Sequence, residues 1–211
     1  DHAGERGFCA GGDIRMIAES GAGDASAAKA FFHAEYRLNA LLFDYPKPVT
    51  AIVDGIVMGG GVGISEPAVV RIATERTTYA MPETGIGLFP DVGGGWFLPR
   101  LPRFAGTWLA LTGARLKAAD TVALGIHTHF MPSDEVEVFR TILAADPGFP
   151  VDIADELAVD AGEAPLEAHI DAIDRLFAHD TVEAIVAALE AEGTDWARTQ
   201  LAALRTKSPQ S

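Results

Sequence analysis

Two carboxylates, Glu83 and Asp91, stand in the run Ala80-Met-Pro-Glu-Thr-Gly-Ile-Gly-Leu-Phe-Pro-Asp-Val-Gly-Gly-Gly95, which is otherwise uncharged and built of small and apolar residues. A segment without Lys or Arg is expected to pack, and a packed carboxylate has to be paired, neutral or chemically employed. Desolvation raises the pKa of such a group toward the range where it exchanges protons or attacks a carbonyl. The plain alternative is that Glu83 caps a turn and Asp91 caps a helix beginning near Gly93. This segment by itself leaves both readings open.

Two glycine-rich turns supply a second kind of chemistry. Met58-Gly-Gly-Gly-Val-Gly63 follows Pro48-Val-Thr-Ala-Ile-Val53, a β-branched apolar run that reads as a strand. Consecutive glycines after a strand let the backbone approach a ligand and present bare N–H groups. Gly7-Phe-Cys-Ala-Gly-Gly-Asp-Ile14 has the same character, with a polar residue opening a helix. Two such turns can aim two backbone donors at one oxygen, an oxyanion hole in which losing one donor costs ~10²–10³ in rate.

In this order, the three segments resemble a known family. Phe8-Cys-Ala-Gly-Gly-Asp13, Gly55-Ile-Val-Met-Gly-Gly-Gly61 and Met81-Pro-Glu-Thr-Gly-Ile-Gly-Leu-Phe-Pro90 are similar to the crotonase (enoyl-CoA hydratase/isomerase) superfamily. Within it, Phe89-Pro-Asp-Val-Gly-Gly-Gly-Trp-Phe-Leu-Pro-Arg100 resembles the 3-hydroxyisobutyryl-CoA hydrolases of valine breakdown. The specific motifs extend from about Gly7 to Leu111, and the likeness continues more loosely to the region after His179. The resemblance implies an oxyanion hole made by the backbone N–H groups of Gly12 and Gly60. It implies Glu83 as the catalytic carboxylate, attacking the thioester or activating water. Asp91 would bind the substrate's 3-hydroxyl and assist proton transfer, and Glu35 would contact substrate from a helix; the plain reading of Glu35 is a solvated helix residue. The implied substrate is an acyl-CoA, with coenzyme A part of the substrate and no separate cofactor or metal.

One departure bears on the reaction. Hydratases of the superfamily carry a second glutamate three residues beyond the oxyanion glycine, where this chain has Gly63. Adding water across a double bond then lacks one of its two carboxylates, whereas thioester hydrolysis with Asp91 does not. Two other outcomes stay open: an enoyl-CoA hydratase or isomerase using Glu83 alone, and a non-catalytic fragment that binds acyl-CoA or a sister protomer.

Elements that position these residues are legible in outline. Ala25 to Phe43 reads as a helix with Phe32, Tyr36, Leu38, Leu41 and Leu42 on one broad apolar face. Strands are expected at 49–53, 69–73, 77–80 and 128–130, and helices at 59–64, 93–98, 104–111 and 118–124. The stretch 146–162, with Pro147, Pro150 and many acids, reads as a linker. Helices are expected around Leu166–Phe177 and Val182–Leu189, the latter opened by Asp180 with Glu183 as a variant capping box. The alternation predicts a layered α/β core over residues 1–132 and a helical extension over 133–211. The resemblance refines the core to a spiral of ββα units. It also implies a piece lacking the family's N-terminal strands, since the chain opens on the polar loop Asp1–Arg6 without Met.

Composition narrows the partners. The formal charge is −14, divided as −3 over residues 1–105 and −11 over 106–211. Such acidity argues against nucleic acid, whose phosphates need a basic surface. It leaves Arg6, Arg15 and Lys47 as the cations near the motifs, each read first as a surface charge. The single cysteine, Cys9, excludes an intrachain disulfide and reads as a small buried residue. No apolar run has the length of a membrane span and no signal-peptide pattern appears. A bacterial-type cytoplasm or the mitochondrial matrix is expected, with a homo-oligomer possible. His127 and His129 could pair on a metal but have no third ligand, and are read as ordinary strand-end histidines. Ser65 lacks a nucleophile elbow, and Gly59–Gly63 lacks the Lys-Ser/Thr of a phosphate loop. No dinucleotide-binding glycine pattern follows a strand.

Overall fold

A computed structural model describes residues 7–209; Arg6 and the loop before it lie outside the described residues. Among the described residues, seven short strands form two sheets. They are β1 (Gly7–Cys9), β2 (Thr50–Val53), β3 (Ile56–Met58), β4 (Val70–Ala73), β5 (Thr78–Ala80), β6 (Leu116–Lys117) and β7 (His129–Phe130). One sheet has the order β1-β3-β5-β6 and the other β2-β4-β7. All pairings are parallel except β5 with β6.

From β1 to β5 the chain passes from one sheet to the other at each step, and β6 then returns to the sheet of β5. It runs through β2, then β3, then helix α3 (Gly60–Ser65), and later through β4, β5 and the 3-10 turn Glu83–Ile86. This is the ββα spiral expected from the motifs. Period-two alternation lets one strand serve two cores. Ala51 and Val53 of β2 join the larger core with Val57, Tyr79 and Leu109, while Ile52 faces the smaller one with Val70, Ile72 and Phe139.

Two helices precede β2. Helix α1 (Ile14–Gly21) is capped by Asp13, whose carboxylate accepts from the Arg15 and Met16 N–H groups. Helix α2 (Ser26–Phe43) packs against α1 and α3, and Ala28 is its single fully buried residue. The broad apolar face expected for α2 is therefore only partly covered: Phe32 and Leu42 are half-buried, whereas Leu38 and Leu41 are exposed. Periodicity reports which face is apolar, not whether a partner element meets it.

After α4 (Gly94–Phe97) and α5 (Ala105–Thr112) come α6 (Ala118–Ala123), α7 (Val136–Ala145) and α8 (Pro150–Leu157). The expected linker over 146–162 thus contains a helix. Pro150 sits in its first turn, where a missing N–H costs nothing, and Pro150, Ile153 and Ala154 are buried. Helices α7 and α8 close the smaller core. Helices α9 (Ile170–Leu176), α10 (Val182–Glu192) and α11 (Asp195–Leu204) join the larger core instead. The cap of α10 is Thr181, which accepts from the Ala184 N–H, and not the Asp180–Glu183 pair. Trp108 Nε1 donates to Gln200 Oε1 at 2.8 Å, tying α5 to α11.

Candidate active site

Three adjacent parallel strands, β1, β3 and β5, each end in one of the motifs. Gly11-Gly12-Asp13 follows β1, Gly59-Gly60-Gly61 follows β3, and Met81-Pro82-Glu83 follows β5. Segments some seventy residues apart in sequence therefore meet at one sheet end, the carboxyl end at which α/β sheets present their sites.

The backbone there leaves no room for side chains. Gly59 takes φ +52 and ψ −122, a conformation open only to glycine, and its Cα faces Glu83 Oε1. A Cβ on Gly60 would overlap Glu35 Oε1, and one on Gly12 would overlap the Phe31 ring, so α2 lies directly over both glycines. Gly60 opens α3, and its N–H is among the first-turn donors that a helix leaves without an internal acceptor. The sheet end thus brings Gly12, Gly60, Glu35 and Glu83 into one neighbourhood.

Glu83 is 4% exposed, and neither carboxylate oxygen has a hydrogen-bond partner. Burial pushes its pKa up to about 7, opposed by its own backbone N–H and reinforced by the charge of Asp91. Its side chain caps nothing. The 3-10 turn that carries it is instead held from outside: the Ser208 N–H donates to Thr84 O at 3.0 Å, and the Leu88 N–H closes onto Glu83 O at 3.1 Å. A carboxylate held rigidly, half protonated near neutrality and free of partners is equipped to act as base or nucleophile.

Asp91 is also buried and does not cap α4, whose N-terminal residue Gly93 makes no side-chain cap. Its Oδ2 accepts a 2.6 Å hydrogen bond from the Tyr36 hydroxyl. Burial raises the pKa of Glu35, with the charge of Asp91 adding to it. Burial likewise moves Tyr36 well above the usual phenol range, helped by its bond to Asp91 and by the charges of Asp91 and Glu35. Asp91 is therefore felt by Glu35, Glu83 and Tyr36 alike. Sequence reading counted Tyr36 only as part of an apolar face; its neighbour Glu35, and the need of a tyrosine hydroxyl for a partner, were the available signals.

The Gly63 position is closed. A Cβ there would overlap Val92 Cβ, so the loop carrying Asp91 occupies the space a side chain at 63 would need. A cavity of about 940 Å³ lies against the same loop, lined by Tyr36, Gly63, Asp91, Val92, Glu66 and Trp96 among others. It borders the site through Asp91 and Tyr36 but is not lined by Glu83, Gly12 or Gly60.

Other sequence candidates fall elsewhere. Arg15 and Lys47 are exposed side chains. Cys9 is half-buried in β1, its carbonyl packed against Gly61. His127 is buried beside Tyr79, burial and Arg71 holding its pKa down to about 3, whereas His129 Nε2 meets Asp155 Oδ1 at 2.9 Å. Among the described residues no cluster of three or more His, Cys, Asp or Glu could hold a metal ion, and no helix is long and apolar enough to cross a membrane.

The sequence matches the enoyl-CoA hydratase/isomerase family over residues 1–211. It is 46% identical to the mitochondrial 3-hydroxyisobutyryl-CoA hydrolase of Danio rerio, over 99% of this chain and 57% of that protein. The human protein of the same name is 44% identical, over 99% and 56%. The chain thus spans a little over half the length of these relatives. Among solved structures, a carnitinyl-CoA dehydratase from Mycobacterium thermoresistibile superposes with a TM-score of 0.91 at 43% identity, over 98% of this chain and 60% of that one. An enoyl-CoA hydratase from Rhodobacter sphaeroides gives 0.82 at 40% identity, over 97% and 59%.

Proposed function

The chain belongs to the enoyl-CoA hydratase/isomerase family, and from that premise we propose that it hydrolyses a short 3-hydroxyacyl-CoA thioester, in the first place 3-hydroxyisobutyryl-CoA. The Gly12 and Gly60 N–H groups hold the thioester oxygen as it gains charge. Glu83 either attacks the carbonyl, forming an anhydride that water opens, or takes a proton from an attacking water. Both routes consume one water, break the C–S bond and release the acid and the thiol of coenzyme A. Asp91 accepts the substrate's 3-hydroxyl, and Glu35 lines the acyl site. Coenzyme A enters as part of the substrate, and the reaction uses no separate cofactor or metal. The relatives named above are mitochondrial by name; the matrix, or a bacterial cytoplasm, is the proposed setting of the whole protein.

The observation that carries this reading is the closure of position 63 by Val92, combined with a carboxylate at 91. A family site with a second carboxylate at 63 is built to hold water between two glutamates. Here that space is filled, and a buried carboxylate at 91 supports the reading in which the second carboxylate receives a hydroxyl instead. Two of the similar solved structures are named as a dehydratase and a hydratase, so the competing reading is water addition with Glu83 alone.

The test is release of free coenzyme A from (S)-3-hydroxyisobutyryl-CoA, beside crotonyl-CoA, in the wild type and in Glu83→Gln. Hydrolysis of the hydroxyacyl substrate should fall by ~10²–10⁴ in the variant, the usual contribution of a positioned acid or base. Circular dichroism should be unchanged. Full activity in Glu83→Gln, or 3-hydroxyacyl-CoA formed from crotonyl-CoA without thiol release, would overturn the proposal.

A further inference from the structure

Asp91 sits on a loop, between Pro90 and a Val92 with φ +44, rather than on a regular element. Loop carboxylates sample several directions unless something holds them. Among the described residues, the hydrogen bond from Tyr36 is the one that the Asp91 side chain accepts, and it occupies Oδ2 alone. The donor comes from the middle of the eighteen-residue helix α2, so the constraint is anchored in a rigid element. Tyr36 keeps its proton far into the alkaline range, since burial, the bond to Asp91 and the neighbouring carboxylates all disfavour the phenolate. It therefore keeps the proton that it donates to Asp91 at any working pH. With Oδ2 taken by Tyr36, Oδ1 is left for a second donor, and both residues line the cavity wall beside the site.

We propose that Tyr36 is the positioning residue that makes the site selective for 3-hydroxyacyl over plain acyl thioesters, by fixing Asp91 so that its free oxygen meets the substrate hydroxyl. This rests on the hydrolase reading for its substrate and on the Tyr36–Asp91 geometry for its residue. Glu35 and Tyr36 are consecutive on α2, so the same helix that covers Gly60 also aims the hydroxyl receptor. Tyr36 moves no proton in the reaction. It acts only through Asp91.

Tyr36 is 41% exposed and its ring is tilted against Phe32 at 5.7 Å between centroids, so a phenylalanine keeps that ring contact. In Tyr36→Phe, kcat/KM on 3-hydroxyisobutyryl-CoA should fall about tenfold further than on isobutyryl-CoA, which lacks only the hydroxyl, as expected for a hydrogen bond to a charged group. Most of that difference should reside in KM. In an Asp91→Asn background, adding Tyr36→Phe should not change the substrate ratio again. An equal fall on both substrates would mean a merely structural role and overturn the proposal, as would no change in their ratio.

A binding measurement separates this inference from the hydrolase reading. In Glu83→Gln protein, the affinity ratio for the two thioesters should collapse on adding Tyr36→Phe, whether or not the wild type turns over. Tyr36-dependent binding preference without turnover would sink the hydrolase alone. Turnover with a Tyr36-independent ratio would sink the positioning role alone.

Discussion

Asp54 and Glu83 are both carboxylates buried just after a strand, at 7% and 4% exposure, yet their surroundings are opposite. Asp54 lies at the corner where the chain leaves β2 for β3. It accepts from Thr74 Oγ1 at 2.7 Å, Ser133 Oγ at 3.0 Å and Arg76 Nη1 at 3.2 Å. Thr74 is at the equivalent corner between β4 and β5, and Thr77 Oγ1 there reaches back to Val53 O at 2.6 Å. Consecutive turns of the spiral are thus stapled together by satisfied polar groups. Glu83, after β5, has no partner on either oxygen. A buried carboxylate with a full set of donors stabilises a corner; one without donors raises the energy of the fold and leaves both oxygens for a ligand.

The largest stability effects should therefore differ in sign. Asp54→Ala removes the acceptor of the buried Thr74 hydroxyl and one partner of the Ser133 hydroxyl, which also meets Glu75, and should lower unfolding free energy by ~1–3 kcal/mol. Glu83→Gln removes a charge that the site does not solvate. Its raised pKa means that the folded form binds a proton the unfolded chain releases, so its stabilising share is present below about pH 4.5 and lost as pH rises through about 7. Gln should then stabilise by ~1–2 kcal/mol at pH 8, less the cost of a buried amide, and by nothing at pH 4. Urea unfolding of both variants at the two pH values reads this directly. The same sign in both variants at pH 8 would end the distinction.

A smaller effect sharpens the same contrast through activity. With Glu83 required as base or nucleophile, the deprotonated form works, so kcat/KM should fall about tenfold per unit below a midpoint near 7 and level off above it. Asp91 helps to hold that midpoint up, so Asp91→Asn should move it toward acid even as it weakens turnover. Asp54→Asn should leave the midpoint in place. A profile flat from pH 5 to 8 in the wild type would show that Glu83 is not the titrating group.

The chemistry was legible because it is written in short contiguous runs. Glycines at 11, 12 and 59–61, and carboxylates at 83 and 91, carry their backbone and solvation demands with them wherever they fold. What joins them is the order β1-β3-β5, made of parallel pairings between strands of three residues, and no local pattern encodes such pairings. The same limit explains Tyr36, whose partner is 55 residues away and whose ring fits an apolar helix face equally well. Helix α8 was hidden for a different reason. Its proline and acids are loop formers in isolation, but Pro150 falls in the first turn and its apolar spacing meets the smaller core only in three dimensions.

Glu66 tests whether the contrast is general, with the smallest expected effect. It ends α3 on the cavity wall, and burial pushes its pKa up to about 7 although Arg71 Nε is 3.9 Å away and opposes the shift. Arg71 is already engaged by carbonyls, donating to Ile126 O at 2.6 Å, Ala68 O at 2.7 Å and Gly125 O at 3.2 Å. It also donates to the Glu66 backbone carbonyl at 3.5 Å, but it gives the Glu66 carboxylate charge without a hydrogen bond, which places that carboxylate with Glu83 rather than with Asp54. Because the folded pKa is the higher one, the share of stability tied to its proton is complete below about pH 4.5 and lost through about 7. Glu66→Gln should leave stability unchanged at pH 4 and raise it by ~1 kcal/mol at pH 8, discounted for the lost attraction to Arg71. Thermal unfolding at the two pH values decides it: destabilisation at pH 8 would mean that the Arg71 charge alone satisfies a half-buried carboxylate, and that missing hydrogen bonds are not what sets Glu83 apart.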